Sequence, residues 1–125
     1  LSETIATFGI RFEAQMTQWR TTLDEIFAQG EKVVIWGSGS KGVTFLNLLE
    51  LGDRIEYAVD INPRKQNKYI PGTGQRIVAP EEMVAYQPDI VIVMNPLYEQ
   101  EIGGMLKDLG LTPTLMTTES FAIAA

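Results

Sequence analysis

The chain contains no cysteine and no histidine among its 125 residues. These two absences remove much of the common enzyme chemistry. Without cysteine there is no disulfide, no thiolate nucleophile and no thiolate-bound zinc. Without histidine the commonest general base and metal ligand is missing, and a serine–histidine triad cannot be built. Any acid–base work falls to carboxylates, lysines or tyrosines. Basic residues are also few, 10 Lys and Arg against 16 Asp and Glu, for a net charge of −6. Such a chain has no general attraction for nucleic acid or anionic membrane, so neither is expected as a partner. No apolar run approaches the roughly 20 residues that span a bilayer. The first residues show no basic stretch followed by an apolar one, so no secretory signal is read and a cytoplasmic location is expected. The sequence opens at Leu1, not Met, which leads us to expect a mature form or a fragment of a longer protein.

What is present describes one globular unit. The length is near the commonest domain size, and 45% hydrophobic with 21% charged residues is enough to build a core. Ile5, Phe8, Phe12, Met16, Trp19, Leu23 and Ile26 recur at steps of three or four, the spacing of one helix face. Ser2 is the expected cap of this helix and Gly30 its expected stop. The stripe reads as core packing or as a linker helix against a domain outside this chain. The period then changes. Lys32–Trp36 reads as a buried strand, Gly42–Leu51 as a helix stopped by Gly52, and Ile55–Val59 as a second strand ending in Asp60. Residues 61–75 carry Pro63, Pro71, Gly72 and Gly74 and read as a long loop, a length that is uncommon and often functional. Arg76–Val78, Ile90–Met94 and Pro113–Met116 read as strands. A brief helix opens at Pro80, and a longer one runs from about Leu97 to Leu109. This alternation predicts an α/β, Rossmann-like three-layer domain with a mostly parallel sheet over residues 31–125, preceded by an N-terminal linker helix over 1–30 that packs on it.

The loop Gly37-Ser38-Gly39-Ser40-Lys41-Gly42 lies between a strand and a helix and fits the glycine fingerprint of dinucleotide sites. Gly37 permits the turn, Gly39 leaves the backbone open to a diphosphate, and Gly42 lets the helix approach the strand. The amides at the helix start offer hydrogen bonds and partial positive charge to phosphate. Asp60 stands where a carboxylate accepts from ribose hydroxyls, or where it simply caps a loop. Lys41 is a phosphate partner or a solvated lysine; Gly42-Val43-Thr44 does not complete a P-loop, which excludes that route to ATP hydrolysis. Arg64, Lys65 and Lys68 gather before Pro71-Gly72-Thr73-Gly74, and together these form a phosphate clamp or a merely solvated loop. Residues 37–42, residues 60–75 and Asn95 should meet beyond the carboxyl ends of the strands.

The segments Trp36–Gly42, Val59-Asp60-Ile61-Asn62-Pro63-Arg64-Lys65-Gln66, Ile70-Pro71-Gly72-Thr73, Pro88-Asp89, Asn95 and Glu101-Ile102 occur in the same order in one family. By them the chain resembles the C-terminal domain of S-adenosylmethionine-dependent C-methyltransferases of the deoxysugar-modifying type. The resemblance covers most of residues 31–102, and the Asn-Pro, Lys-Gln and Pro-Gly-Thr block is its most specific part. Asn67 stands where a glycine is common, Ser38 and Ser40 where alanine is frequent, and Pro96 follows Asn95. The resemblance implies a cysteine-rich zinc segment and a methyl-donor domain ahead of this one, so S-adenosylmethionine and zinc belong to that earlier part and no cofactor is expected here. It implies a nucleotide-linked sugar as the ligand and the methyl-donor domain as the partner. The residues it turns toward the substrate are Gly37, Ser38, Gly39, Ser40, Lys41, Gly42, Asp60, Asn62, Pro63, Lys65, Gln66, Pro71, Gly72, Thr73 and Asn95, with no catalytic residue in this chain. Two other readings stand beside it: an NAD(P)-binding oxidoreductase or sensor domain, and a vestigial Rossmann scaffold for interdomain packing or dimerisation.

Overall fold

Val33–Trp36 (β1) and Ile90–Val93 (β4) are buried at every position, so neither strand presents a face to solvent. Strands of this kind need a covering layer on both sides. The computed structural model describes residues 5–51 and 54–117, apart from the side chains before Ala14 and that of Ser40. Tyr57–Val59 (β2), Arg76–Val78 (β3) and Thr114–Thr117 (β5) complete a five-stranded sheet in the order β3-β2-β1-β4-β5. Every pairing in it is parallel. The order reverses beside β1, because the chain first builds outward through β2 and β3 and then returns to the other edge of β1 with β4.

Alternate side chains of each strand enter two cores. Val33, Ile35, Ala58, Ile77 and Ile92 pack with Trp19 and Leu23 of α1 (Ile5–Ala28) and with Phe45, Leu46 and Leu49 of α2 (Ser40–Leu49). The Trp19 and Phe45 rings meet edge to face at 5.2 Å, which locks the two helices together. On the opposite face Val34, Trp36, Val59, Val91 and Val93 pack with Met83 of α3 (Met83–Tyr86) and with Ile102 and Leu106 of α4 (Glu99–Asp108). Each such fully buried aliphatic chain contributes about 1.5–3 kcal/mol. The helical stripe read from sequence thus lies in the core from Met16 onward; Ser2 and Gly52 fall outside the described residues. Gly30 closes α1, its amide donating to the Phe27 carbonyl at 3.0 Å.

Several boundaries move from the sequence reading. The helix expected from Gly42 begins two residues earlier, at Ser40, and its last turn ends in Glu50 at φ +51°. Both later helices are entered through a short 3₁₀ turn, Pro80–Glu82 before α3 and Pro96–Tyr98 before α4, because proline fits the first turn where its missing N–H costs no hydrogen bond. Residues 61–75 form the long loop that was expected, and backbone hydrogen bonds tie it to β3. Ile77 N donates to the Lys68 carbonyl at 2.8 Å, Asn67 N to the Ile77 carbonyl at 2.7 Å, and Tyr69 forms an antiparallel bridge with Arg76. Asn67 adopts φ +65°, and asparagine is among the few side chains that enter this region readily, which accounts for its standing where glycine is common.

Candidate functional site

The switch in strand order places the carboxyl ends of β1, β2 and β4 side by side, and the glycine loop leaves β1 there. Gly37 sits at φ +118°, and its amide donates to the Val59 carbonyl at 2.8 Å, so the turn is bound to the end of β2. A Cβ at Gly42 would lie 2.3 Å from the Gly37 carbonyl oxygen, inside any tolerable contact. Glycine at 42 is therefore demanded by the fold itself. Gly39 is different. Its φ of −76° suits any residue, and a Cβ there would meet nothing nearer than the Lys65 ammonium nitrogen at 4.0 Å. Gly39 is the N-cap of α2 and brings no side chain of its own to cap that helix. As at any helix start, the first amides of α2 lack intrahelical acceptors, and Gly39, Lys41 and Gly42 border a cleft.

Asp60 ties this loop to the next one. One carboxylate oxygen accepts from both the Ser38 hydroxyl and the Ser38 amide, the latter at 3.2 Å, while the other accepts from the Asn62 amide at 2.9 Å. Burial pushes the Asp60 pKa up, but the Ser38 hydroxyl, the Asn62 and Ser38 amides and the charge of Lys65 outweigh it and hold the group below its ordinary value. The block that follows is braced on itself. Gln66 Nε2 donates to the Asp60 carbonyl at 2.9 Å, and Asn62 Oδ1 accepts from the Arg64 amide at 3.0 Å. Farther on, Asn47 of α2 donates to the Pro71 carbonyl at 3.4 Å, and a Cβ at Gly72 would stand 2.7 Å from Asn47 Oδ1.

A cleft of about 580 Å³ opens between these loops and α4. Gly37, Gly39, Lys41 and Gly42 form one wall, with Asp60 and Ile61 at the end of β2. Trp36, Met94, Ile102 and Met105 give it an apolar floor, and Asn95, Tyr98 and Glu101 place polar groups on the far side. Asn95 Oδ1 accepts from the Leu97 amide at 3.1 Å and thereby caps the turn that leads into α4. A second hollow of about 490 Å³ lies beside the first and shares Ile61 and Met105 with it. Its other walls are Pro63, Gln66, Ala79, Pro80 and Leu109, with Glu81 and Asp108 at the rim. Among the described residues no group of His, Cys, Asp and Glu is arranged to hold a metal ion, and no helix is long and apolar enough to cross a membrane.

Residues 2–111 match the model of the C-methyltransferase C-terminal domain. The chain belongs to this family. Its relatives include C-methyltransferase NovU of Streptomyces niveus, 30% identical over 96 residues, which are 76% of this chain and 23% of that protein. The chain thus corresponds to about a quarter of the length of the curated relative. Among solved structures it is similar to a Rex-family repressor (TM-score 0.54, 17% identity, 81% of this chain and 59% of that one). It is also similar to UDP-D-quinovosamine 4-dehydrogenase from Vibrio fischeri (TM-score 0.53, 22% identity, 70% of this chain and 76% of that one). At these identities the two structures establish the Rossmann-like fold and no more.

In this C-methyltransferase C-terminal domain the cleft gathers Gly37, Gly39, Lys41, Gly42, Asp60 and Asn95 from the residues singled out in the sequence. Lys65 reaches toward Gly39 from outside that lining, and Ser38 is buried against Asp60 beneath it. Ser40 contributes the first residue of α2. Pro63 and Gln66 line the second hollow, and Asn62 braces the turn between the two. Pro71, Gly72 and Thr73 line neither space; Pro71 and Gly72 lie against Asn47, and Thr73 Oγ1 is buried with no hydrogen-bond partner among the described residues. Sequence reasoning assigned no site role to Trp36, Ile61, Met94, Tyr98, Glu101, Ile102 and Met105, which complete the cleft. The available signals were Trp36, Ile61 and Glu101-Ile102, which lie within the segments of the family resemblance.

Proposed function

We propose that this domain holds the nucleotide-linked sugar for a C-methyltransferase, without transferring the methyl group itself. The open amide face at Gly39, leading into a cleft at the strand switch, carries the reading. An anionic diphosphate there would accept from the first amides of α2, with Lys41 and Lys65 supplying charge. Asn95, Tyr98 and Glu101 offer an amide, a ring face and a carboxylate to a sugar. Asp60, Asn62 and Gln66 act in this reading by fixing the loops that surround the ligand, and Pro71-Gly72-Thr73 by seating the outer loop on α2. S-adenosylmethionine would supply the methyl group from the parent's donor domain, the partner that this chain would meet. Calorimetry with a nucleoside diphosphate and its sugar conjugate tests the proposal. Millimolar or tighter binding that Gly39→Glu abolishes is expected; identical traces for the two proteins would end it.

A second reading, an NAD(P) site, draws support from the Gly37-x-Gly39-x-x-Gly42 turn and the acid at the end of β2. Against it, Asp60 already accepts three hydrogen bonds, leaving its carboxylate little capacity for a ribose. Trp36 lines the cleft, so saturable energy transfer from it to NADH would favour this reading. A third reading, a scaffold that binds no ligand, requires that Gly39→Glu leave the activity of the parent enzyme intact.

A further inference from the structure

The two hollows differ in chemistry, and that difference gives the ligand a direction. Each is lined by two carboxylates, Asp60 and Glu101 in the first and Glu81 and Asp108 in the second, but the first also has the amides at the start of α2 and Lys41, whereas the second has no cation in its lining. With equal numbers of carboxylates, the lysine and the helix amides make the first hollow the better place for a diphosphate, and the second has nothing to offset its two negative charges. Apart from Gln66, whose Nε2 is taken up by the Asp60 carbonyl, the rest of the second hollow is apolar, between Pro63, Ala79, Pro80 and Leu109. Ile61 and Met105 form the saddle between the hollows, and Ile61 is 58% exposed, a large apolar side chain left open at a shared wall. A flat ring with apolar faces and N–H groups on its edge suits such a slot, because the faces cover Ile61 and Met105 while the edge meets carboxylate acceptors.

We propose that the second hollow receives the heterocyclic base of the nucleotide, a neutral ring carrying N–H donors, so that the sugar lies on the opposite side of the diphosphate, toward Asn95, Tyr98 and Glu101. This rests on the diphosphate-binding reading given above. Ile61 is then a specificity-determining contact, and it can be altered without entering either core.

The test compares inorganic pyrophosphate with uridine and thymidine diphosphates, titrated calorimetrically into the full chain and into Ile61→Ser. The proposal expects the nucleoside diphosphates to lose roughly tenfold in affinity on the loss of this apolar wall, with pyrophosphate affinity unchanged within about twofold. It also expects the Ile61 and Met105 methyl NMR signals of the unaltered chain to shift with nucleoside diphosphate and stay in place with pyrophosphate. Equal losses for all three ligands, or no loss for any, would overturn the base subsite while leaving the diphosphate reading standing. If neither pyrophosphate nor a nucleoside diphosphate binds the unaltered chain, both readings fall together. An Ile61→Ser protein with a cooperative urea transition like that of the unaltered chain shows that any loss is not unfolding.

Discussion

Gly42→Ala is the substitution whose consequence the structure defines most sharply. The added methyl carbon would stand 2.3 Å from the Gly37 carbonyl oxygen and 3.3 Å from Ile35 Cδ1. The oxygen belongs to the backbone of a turn held by the Gly37–Val59 hydrogen bond, so it cannot swing aside as a side chain would. Relief needs about 1 Å of separation between α2 and the end of β1, in an interior packed to crystal-like density. Overpacking of this kind costs about 3 kcal/mol. Alanine's better helix propensity returns about 1 kcal/mol. The net loss is about 2 kcal/mol, which for a domain of this size lowers Tm by roughly 8 °C. Differential scanning calorimetry and urea titration of the two proteins measure it directly. A Tm within about 2 °C of the unaltered chain would mean that α2 does not approach Gly37 this closely, and the geometry of the loop would have to be redrawn.

Trp19→Ala empties a fully buried position between α1 and α2 and should cost about 3–5 kcal/mol in urea unfolding; a loss under about 1 kcal/mol would show that α1 is not integral to the core. Asp60→Asn should lower stability at neutral pH by loosening Ser38 and Asn62. Because the folded pKa of Asp60 is depressed, its charge stabilises fully above the unfolded carboxylate value of about 3.9 and ceases to do so as pH falls through the folded value. The gap between Asp60→Asn and the unaltered protein should therefore close in acid; a gap constant from pH 7 to pH 2 would contradict this account. Replacing Lys41 and Lys65 by alanine should weaken nucleoside diphosphate binding about tenfold, more at low salt than at high, with Tm unchanged within about 2 °C. Binding that does not respond to salt would remove both cations from the site.

Much of this architecture could be read from sequence because a few residues carry it. Ile90-Val91-Ile92-Val93 and Val33-Val34-Ile35-Trp36 are too uniformly apolar for anything but doubly covered strands, and the stripe through Trp19 and Leu23 declares the covering helix. Boundaries were less legible. Ser40 starts α2 because the chain turns helical immediately beyond Gly39, which no propensity at Gly42 could reveal. Ile55 is buried yet lies before β2, since burial and strand pairing are separate requirements. The glycine loop and Asp60 were visible as a motif with a mechanism. Of the polar groups on the other side of the cleft, only Asn95 was expected there. Tyr98, Glu101 and Met105 reach it only because β4 lies next to β1, and a sheet order leaves no mark on local periodicity. Residues 61–75 do form the long loop that was read, but its ties, Asn67 to Ile77 and Asn47 to Pro71, join residues 10 and 24 positions apart and leave no local signal.

The two later glycines of the fingerprint show why such a motif alone says little about binding. Gly42 is held in place by the protein's own backbone, so the fold would need glycine there with or without a ligand. Gly39 has no such obligation: its φ suits any residue, and nothing lies within 4 Å of the methyl position except the end of a flexible lysine. The fold itself therefore makes no demand for glycine at 39, and a demand from a bound diphosphate is what the proposed function predicts. A pair of single substitutions separates these demands. Gly39→Ala should cost at most about 1 kcal/mol, from the poorer N-cap, and should weaken diphosphate binding by crowding its approach. Gly42→Ala should cost stability first. If Gly39→Ala bound pyrophosphate and nucleoside diphosphate as tightly as the unaltered chain, the open face at Gly39 would not be a phosphate site, whatever the rest of the motif suggests.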